Sequence, residues 1–368
     1  MPNSSFNKVG TLNQPHFDFD AWQKAIIPLE EAVTLDPQFA EDYALLAKAH
    51  SRIYYLRRDH TYDRHQKAER ANAQALSVDA GNPEVQMAAG CFQLWVKKDR
   101  VAALSFLEQA SKGLPNSVEV LKARASIYEV QGKFDLYIEA VEKATNISSL
   151  DGSCWTMLAF GYEFTYQFSK GLESITKSTA PDPEAAWNHL AKGFIYFQLK
   201  GADEDSREAF SHINKNHSWY LWSMFHQEMF EDRFDSALEL IKEYPNRVNS
   251  KMARIPQPLL KAYIYTHQNK KEQAKQEFEL SLTELKLAID SKPDDDRTHS
   301  ALGLSYSGLG MREDAVFHGK KAMELMPYSE EAIYGQPAIP DMALIYTMLG
   351  EFHLAFEHLE TILAGPSY

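Results

Sequence analysis

Small and large apolar residues alternate with polar residues at helical spacing along most of the chain, most clearly in residues 296–329. Two apolar stripes stand out in this stretch, the first at Leu302, Gly303 and Tyr306 and the second at Ala315, Gly319 and Ala322. Gly310 separates the stripes and Pro327 ends the second one, and glycine and proline are typical turn and stop signals. The pattern predicts two helices joined by a short turn.

The same pattern returns along the chain at a fixed interval. Four helical patterns end at a proline that is soon followed by an acidic residue, at Pro37, Pro115, Pro183 and Pro327. These separations fit a period of ~34 residues with two short insertions. Glycine inside a helix costs ~1 kcal/mol relative to alanine, so Gly303 is expected where two helices touch closely. Gly132, Gly310 and Gly350 fall in the predicted turns.

This period and its small and large positions resemble the tetratricopeptide repeat (TPR), a helix–turn–helix unit of ~34 residues. The resemblance implies an all-α fold, an α-solenoid forming a right-handed superhelix of about nine units. The units begin near residues 40, 84, 118, 152, 184, 218, 255, 296 and 336. A lone helix at about 19–35 precedes them, and Pro28 is expected to kink that helix or to mark its start.

The predicted organisation is a flexible leader at 1–18 followed by one superhelix at 19–368. The repeat is more regular at 40–183 and 296–364 and divergent at 184–295. In the first unit, the second helix is expected about ten residues late, because a segment near YLRRDHTYDRHQ lengthens the turn.

Charge and composition limit the classes of partner that the sequence predicts. The formal net charge is −13 and no basic stripe is present, which predicts that the chain does not bind nucleic acid. Two cysteines give neither a disulfide framework nor a CxxC site. No secretory signal and no apolar run of ~20 residues is evident, so we expect a cytoplasmic protein without membrane insertion.

The sequence offers little for catalysis. It contains no GxGxxG, GxxxxGK[ST], GxSxG or HExxH pattern, so the common phosphate, nucleophile and zinc signatures are missing. Asp294, Asp295 and Asp296 precede a helix and are interpreted as its start rather than as a calcium site. Cys91 occupies a small core position and should be buried and inert, while Cys154 is less certain. We therefore expect a protein that is not an enzyme and has no cofactor or metal.

In the TPR family, the first helices of stacked units line a concave groove that recognises peptides or domains. Projecting the register onto this sequence places a set of large and polar residues in that groove. The predicted groove residues are Phe92, Trp95, Lys122, Phe160, Phe164, Asn188, Lys192, Tyr196, Trp219, Trp222, His226 and Phe230. Further polar positions, including Glu163, fall on the same helices. Packing of these aromatic residues between neighbouring units is the competing interpretation.

The stretches LEEAVTLDPQFAEDYALLAKAH and PAIPDMALIYTMLGEFHLAFEHLETIL resemble the C-terminal TPR regions of bacterial signalling proteins, where the array follows a cyclase, kinase or winged-helix domain. The resemblance implies a non-enzymatic scaffold that binds a protein or peptide in signal transduction or regulation. One alternative is a structural protein that forms a homodimer through its terminal repeats near 340–364. Another is a small-ligand sensor that uses the histidines and aromatic residues at 212–230.

Overall fold

The computed structural model describes residues 19–57, 59–179, 186–215, 217–243, 248–249, 253–327 and 338–363. The predicted leader at 1–18 and Pro183 lie outside these residues. The first ten helices are α1 Phe19–Leu35, α2 Ala40–Tyr55, α3 Tyr62–Asp79, α4 Pro83–Phe92, α5 Arg100–Gly113, α6 Val118–Val130, α7 Phe134–Ile147, α8 Gly152–Phe164, α9 Phe168–Thr179 and α10 Ala186–Lys200. The others are α11 Glu204–Ser211, α12 Ser218–Phe230, α13 Phe234–Glu243, α14 Gln257–His267, α15 Lys271–Ser291, α16 Asp296–Gly308, α17 Arg312–Leu325, α18 Ala338–Met348 and α19 Phe352–Leu363.

After α1, the described helices pair into nine hairpins, from α2 with α3 to α18 with α19. The all-α solenoid architecture is thus confirmed, and the hairpins start within about two residues of the predicted positions. Between α13 and α14, the strands β1 Val248–Asn249 and β2 Arg254–Ile255 pair antiparallel. The chain divides into two compact units, residues 1–129 with 133–158, and residues 130–132 with 159–368. A single array over residues 19–368 stays a prediction.

Side-chain caps fix where several of these helices begin. Thr61, Asn82, Asp99 and Asp295 precede α3, α4, α5 and α16, and each accepts a hydrogen bond from a backbone amide of the first turn. Such caps satisfy amides that have no partner inside the helix. The interpretation of the aspartates at 294–296 as a helix start is confirmed, because Asp295 caps α16.

Each unit has its own apolar core. In the first unit, Trp22, Ile26 and Leu29 form one face of α1 and pack against Leu46 and Ile53 of α2. Because α1 runs from Phe19 through Pro28, the proposal that Pro28 marks the start of this helix is wrong.

The core of the second unit is continuous over its later hairpins. Leu259, Phe278, Leu302 and Ile345 come from four different helices and belong to one buried cluster. A repeat hairpin is too thin to bury its apolar face alone, so its neighbour completes the core.

The glycines of α16 lie where helices approach each other. A Cβ atom on Gly303 would come within 2.7 Å of Ile345 Cδ1 and 3.1 Å of the Ala315 carbonyl oxygen. The prediction that Gly303 is a contact glycine is confirmed. Gly308 faces the ring of Phe278, which a Cβ atom would overlap. Gly310 instead lies in the turn with a φ of +71°, a conformation that side chains disfavour.

The insertion in the first hairpin is folded differently from the prediction. Part of the extra sequence is helical, because α2 extends to Tyr55 and α3 already begins at Tyr62. The turn between them is held by Asp59, which accepts hydrogen bonds from the Thr61 hydroxyl and from Nε of Arg64. Arg64 also contacts Nδ1 of His50 at 2.7 Å, and burial lowers the pKa of His50 to about 4.

Among the helices that the structure describes, none is long and apolar enough to cross a membrane.

Candidate partner-binding face

The predicted groove residues of α4 and its extension belong to the interior of the first unit. Phe92 is 3% exposed and Trp95 is 4% exposed. Trp95 lies on a π-helical turn, Gln93–Lys97, that continues α4. The Arg52 guanidinium stands 5.0 Å from the centre of the Trp95 ring, and Tyr55 stacks on that ring at 6.2 Å. Neither Phe92 nor Trp95 offers an open anchor in this conformation.

Lys122, the predicted groove residue of α6, is also buried. Its ammonium group donates a hydrogen bond to Ser153 Oγ at 2.8 Å and contacts Asp151 at 3.4 Å. Burial alone would raise the pKa of Asp151, but the Lys122 ammonium group and the hydrogen bonds from Ser153 and Cys154 together lower it. Lys122 therefore ties α6 to the start of α8, which accounts for its position without a partner.

In the second unit, the first helices α8, α10 and α12 bring four aromatic residues into one chain of contacts. The rings of Phe164 and Phe160 stack at 6.1 Å between centroids. Phe160 meets Trp187 edge to face at 6.5 Å, and Trp187 meets Trp219 at 6.4 Å. All four side chains are half-buried. We call Phe160, Phe164, Trp187 and Trp219 the aromatic track.

The track is held from below by the core of the hairpins. Phe160 packs on a buried cluster of Ala159, Ile175 and Ala191. Trp187 and Trp219 pack against a second buried cluster that includes Leu190 and Phe210. The rings of Phe160, Trp187 and Trp219 are thus fixed by packing on one side, and part of each ring remains accessible. Sequence reasoning missed Trp187 because it occupies the fourth position of its unit, and large residues at that position of the repeat typically fill the space between helices.

The other predicted groove residues of α10 divide into a structural and an accessible group. Asn188 is buried and accepts a hydrogen bond from the Ser178 hydroxyl at 2.7 Å, so it joins α9 to α10. Lys192 and Tyr196 are half-buried, and the Lys192 ammonium group lies 5.8 Å from the centre of the Tyr196 ring.

On α12, Trp222, His226 and Phe230 continue along the helix. His226 Nδ1 donates to the Trp222 carbonyl oxygen at 2.8 Å, and the two rings lie 3.8 Å apart. Burial holds the pKa of His226 below its usual range. Phe230 is 66% exposed and contacts the ring of Phe197 at 5.0 Å.

Glu163 adds a charge-bearing group to this face. It lies on α8 between Phe160 and Phe164, and it is 4% exposed. Gln198 of α10 donates a hydrogen bond to Oε1 at 2.6 Å, whereas Oε2 has no hydrogen-bond partner among the described residues. Burial raises the pKa of Glu163 to about 8. An unsatisfied buried polar group destabilises the folded state by about 1–3 kcal/mol, so the presence of a carboxyl at this position needs an explanation.

On α16, which is the first helix of the eighth hairpin, the side chains are covered by neighbouring elements. Every residue from Asp296 to Ser307 is buried. Ser300 donates a hydrogen bond to Asp341 of α18, and burial raises the pKa of this carboxyl to about 6. On the other side, Arg254 of β2 lies 3.8 Å from Asp295. Large side chains at accessible positions are therefore found on α8, α10 and α12 rather than on α16.

The cysteines and histidines form no cluster suited to metal binding within the described ranges. Cys91 and Cys154 are buried, and burial raises the pKa of both thiols, to about 12 for Cys154. The prediction that Cys91 is buried is confirmed. Of the three histidines considered for a sensor site, His226 contacts Trp222 and His217 contacts Trp187, whereas His212 is exposed and stacks on His189.

No protein-family model and no curated protein matches the sequence. Solved structures do match in fold. A tetratricopeptide repeat protein from Parabacteroides merdae aligns with a TM-score of 0.50 and 18% identity, over 74% of this chain and 98% of that protein. The human IFIT1 dimer with PPP-AAAA aligns with a TM-score of 0.50 and 14% identity, over 84% of this chain and 70% of that one. At these identities, the likeness shows a TPR-like fold.

The prediction that nucleic acid is excluded as a partner is wrong. Human IFIT1 with m7Gppp-AAAA aligns with a TM-score of 0.51 over 83% of this chain and 68% of that one, so a neighbour with this fold has been solved with a capped RNA. The exclusion was based on the net charge and on the lack of a basic stripe in the sequence, and neither describes the lining of one face of the folded chain. A TPR-like fold is therefore compatible with an RNA ligand.

Proposed function

We propose that the chain is a non-enzymatic protein-interaction scaffold that binds a peptide segment or partner domain on the aromatic track. The observation that carries this proposal is the continuous contact of half-buried rings, Phe164 to Phe160 to Trp187 to Trp219, across three successive first helices. Protein–protein binding is also the general role of proteins with this architecture.

The energetics of aromatic side chains favour this assignment. Trp and Phe bury large areas, and Trp and Tyr are enriched among residues that dominate binding energy. Rings that are already held by core packing lose little conformational freedom when a partner covers them, so less of the interaction energy is spent on ordering. The track is thus prepared for binding before a partner arrives.

A regulatory or signalling setting in a bacterial cytoplasm is part of the proposal and derives from the sequence resemblance to repeat regions of signalling proteins. The repeat protein from Parabacteroides merdae is a bacterial protein with this fold, which is compatible with that setting.

A selection followed by variant binding tests the proposed function. A displayed library of random 12-residue peptides is selected on the full chain, and the enriched peptides are synthesised and titrated. We expect Trp219→Ala and Phe160→Ala each to weaken binding about tenfold or more. Phe317→Ala is the matched control, because Phe317 is an exposed aromatic residue on the second helix α17. Equal losses in all three variants would contradict the proposal, with circular dichroism to confirm folding.

A second candidate function is self-assembly through the last hairpin. Phe352, Phe356 and Leu359 of α19 are 59%, 64% and 39% exposed, and their spacing places them on one side of the helix. An exposed apolar face of this kind marks an interaction site more often than chance. Human IFIT1 was solved as a dimer and as a monomeric mutant with two Leu-to-Glu changes. We propose a homodimer through α19 as this second function.

A further inference from the structure

Glu163 lies on α8 beside the aromatic track, and packing does not explain why a carboxyl is buried at this position. Other polar side chains of α8 find partners nearby, as when Trp155 Nε1 donates to the Ser149 carbonyl oxygen of the preceding turn at 2.8 Å. The Glu163 carboxyl is satisfied on one oxygen only, by Gln198. Its second oxygen is buried without a partner among the residues that the structure describes. A glutamine or leucine at this position would avoid the cost of burying a carboxyl. Glu163 therefore lowers the stability of the free protein relative to either of these residues.

Among the residues that the structure describes, no lysine or arginine contributes to the environment of the Glu163 carboxyl. Its pKa is shifted by burial, which raises it, and by the Gln198 hydrogen bond, which lowers it. The basic residue predicted on the same face, Lys192, places its ammonium group against Tyr196. Within the described part of the chain, the carboxyl thus has a hydrogen-bonding position that a ligand could fill.

We propose that the aromatic track binds a peptide segment carrying a lysine or arginine, whose cation pairs with Glu163 while its apolar neighbours pack on the rings. This inference rests on the proposed function and specifies the chemistry of the ligand. Both parts of the site favour the same group, because an unpaired carboxyl and the faces of Phe and Trp rings attract cations. Lysine and arginine also carry long apolar stems that suit an aromatic surface.

An anionic ligand fits this position less well. Phosphate recognition depends on Lys or Arg side chains, and no lysine or arginine is among the contacts of the Glu163 carboxyl within the described residues. We therefore assign the track to a basic peptide, and an RNA ligand becomes an outcome of the test.

Binding in this mode requires a small rearrangement. Because Oε2 is covered in the free protein, a side chain beside it must move before a cation can reach it, and the carboxyl must release the proton that burial keeps on it. The half-buried rings of Phe160 and Phe164 are the nearest in sequence, at three residues before and one residue after Glu163. Rotamer changes of this size are common at interfaces whose backbones stay fixed.

The experiment uses the full chain and synthetic 12-residue peptides with Leu, Phe and Trp around one central position. That position is Lys, Nε-acetyl-lysine, Gln or Glu, and dissociation constants are measured for each peptide. On the wild-type protein, we expect the Lys peptide to bind about tenfold more tightly than the acetyl-lysine and Gln peptides. Glu163→Gln should abolish this preference, so that the ratio of the dissociation constants falls to about one. Glu173→Gln removes an exposed carboxylate from α9 and should leave the preference unchanged.

The possible results separate the two proposals. Equal affinity of wild type for the Lys, acetyl-lysine and Gln peptides, with loss of binding in Trp219→Ala, would overturn the cation assignment and leave the proposed function standing. The wild-type comparison of Lys with acetyl-lysine decides this point even if Glu163→Gln fails to fold. Lack of binding by every peptide would overturn both. Binding of 5′-triphosphate oligoadenylate that Trp219→Ala abolishes would replace the peptide assignment with RNA.

Discussion

Gln198 donates a hydrogen bond to Oε1 of Glu163 at 2.6 Å, and this single contact joins α10 to an otherwise unsatisfied carboxyl on α8. Burial raises the pKa of this carboxyl from about 4.5 to about 8. The folded state therefore keeps a proton that the unfolded state loses at lower pH. Stability from this group is complete below pH 4.5 and is lost as the pH rises to about 8.

Glu163→Gln should reduce the dependence of the free energy of unfolding on pH at the upper end of this pH range. We expect the free energy of unfolding of the wild type to decrease between pH 6.5 and 8 by up to about 1–2 kcal/mol through this group, at ~1.4 kcal/mol per pKa unit. The measurement is urea denaturation at both pH values. Asp341→Asn is the control, because the pKa of Asp341 is about 6 and its effect is nearly complete below this window. An unchanged slope in Glu163→Gln would count against the assigned pKa.

The close approach at Gly303 makes a second prediction. Gly303→Ala would place a Cβ atom against the Ala315 carbonyl oxygen and the Gly319 amide nitrogen, both at 3.1 Å, and backbone atoms cannot move aside easily. We expect a loss of about 1–3 kcal/mol in thermal or urea denaturation, as for other overpacked positions.

Gly81→Ala is the matched control for this prediction. The nearest atom to its added Cβ would be Asp79 Oδ1 at 3.4 Å, an ordinary contact. This change should be neutral or slightly stabilising. Equal effects at Gly81 and Gly303 would show that helix contact does not select the glycine in α16.

Gly303 and the predicted groove residues show which parts of the structure could be predicted from the sequence. The hairpins and Gly303 could be predicted because prolines, turn glycines and small residues are local signals that repeat with the period. The burial of Phe92 and Trp95 could not, because it depends on a π-helical turn and on Arg52 from another helix. A position in the repeat fixes which helix a residue occupies, whereas its exposure depends on what the adjacent hairpins place against it.

Trp187 and Glu163 illustrate the same limit within the candidate site. The register placed Glu163 on the groove side but gave no sign that one of its oxygens lacks a partner. Trp187 was not among the predicted groove residues, and the structure shows that its half-buried ring packs on the core and remains partly accessible. Such dual positions are visible only when neighbouring side chains are placed.

The histidine pair of the eighth hairpin predicts a loss of stability in acid. His299 and His318 contact each other through their Nδ1 atoms at 2.8 Å, and His318 stacks on Tyr306. Burial, with a smaller effect of His299, lowers the pKa of His318 to about 4. The unfolded chain therefore binds a proton that the folded chain refuses between pH 6.5 and 4, so stability falls as the pH falls through this range.

His318→Asn should remove part of that acid-side loss. We expect its melting temperature to change less between pH 6.5 and 4.5 than that of the wild type. His353→Asn, on the exposed side of α19, should keep the wild-type dependence. A wild-type dependence in His318→Asn would show that His318 is not the source of the acid-side loss.

The exposed stripe of α19 predicts the oligomeric state. If Phe352, Phe356 and Leu359 form a homodimer interface, sedimentation velocity should show a dimer that Phe356→Glu converts to a monomer, because a buried unpaired charge is strongly unfavourable. Phe317→Glu, at an exposed aromatic residue of α17, should leave the dimer intact. A monomeric wild type at high concentration would refute self-assembly through this helix.

The most direct test of the central claim locates a bound peptide. A peptide selected on the full chain is synthesised with a benzophenone side chain, irradiated in the complex, and its attachment sites are identified by mass spectrometry. The account predicts crosslinks within α8, α10 and α12, at residues 152–164, 186–200 and 218–230. Crosslinks confined to second helices or to α19 would contradict the claim that the aromatic track is the binding face.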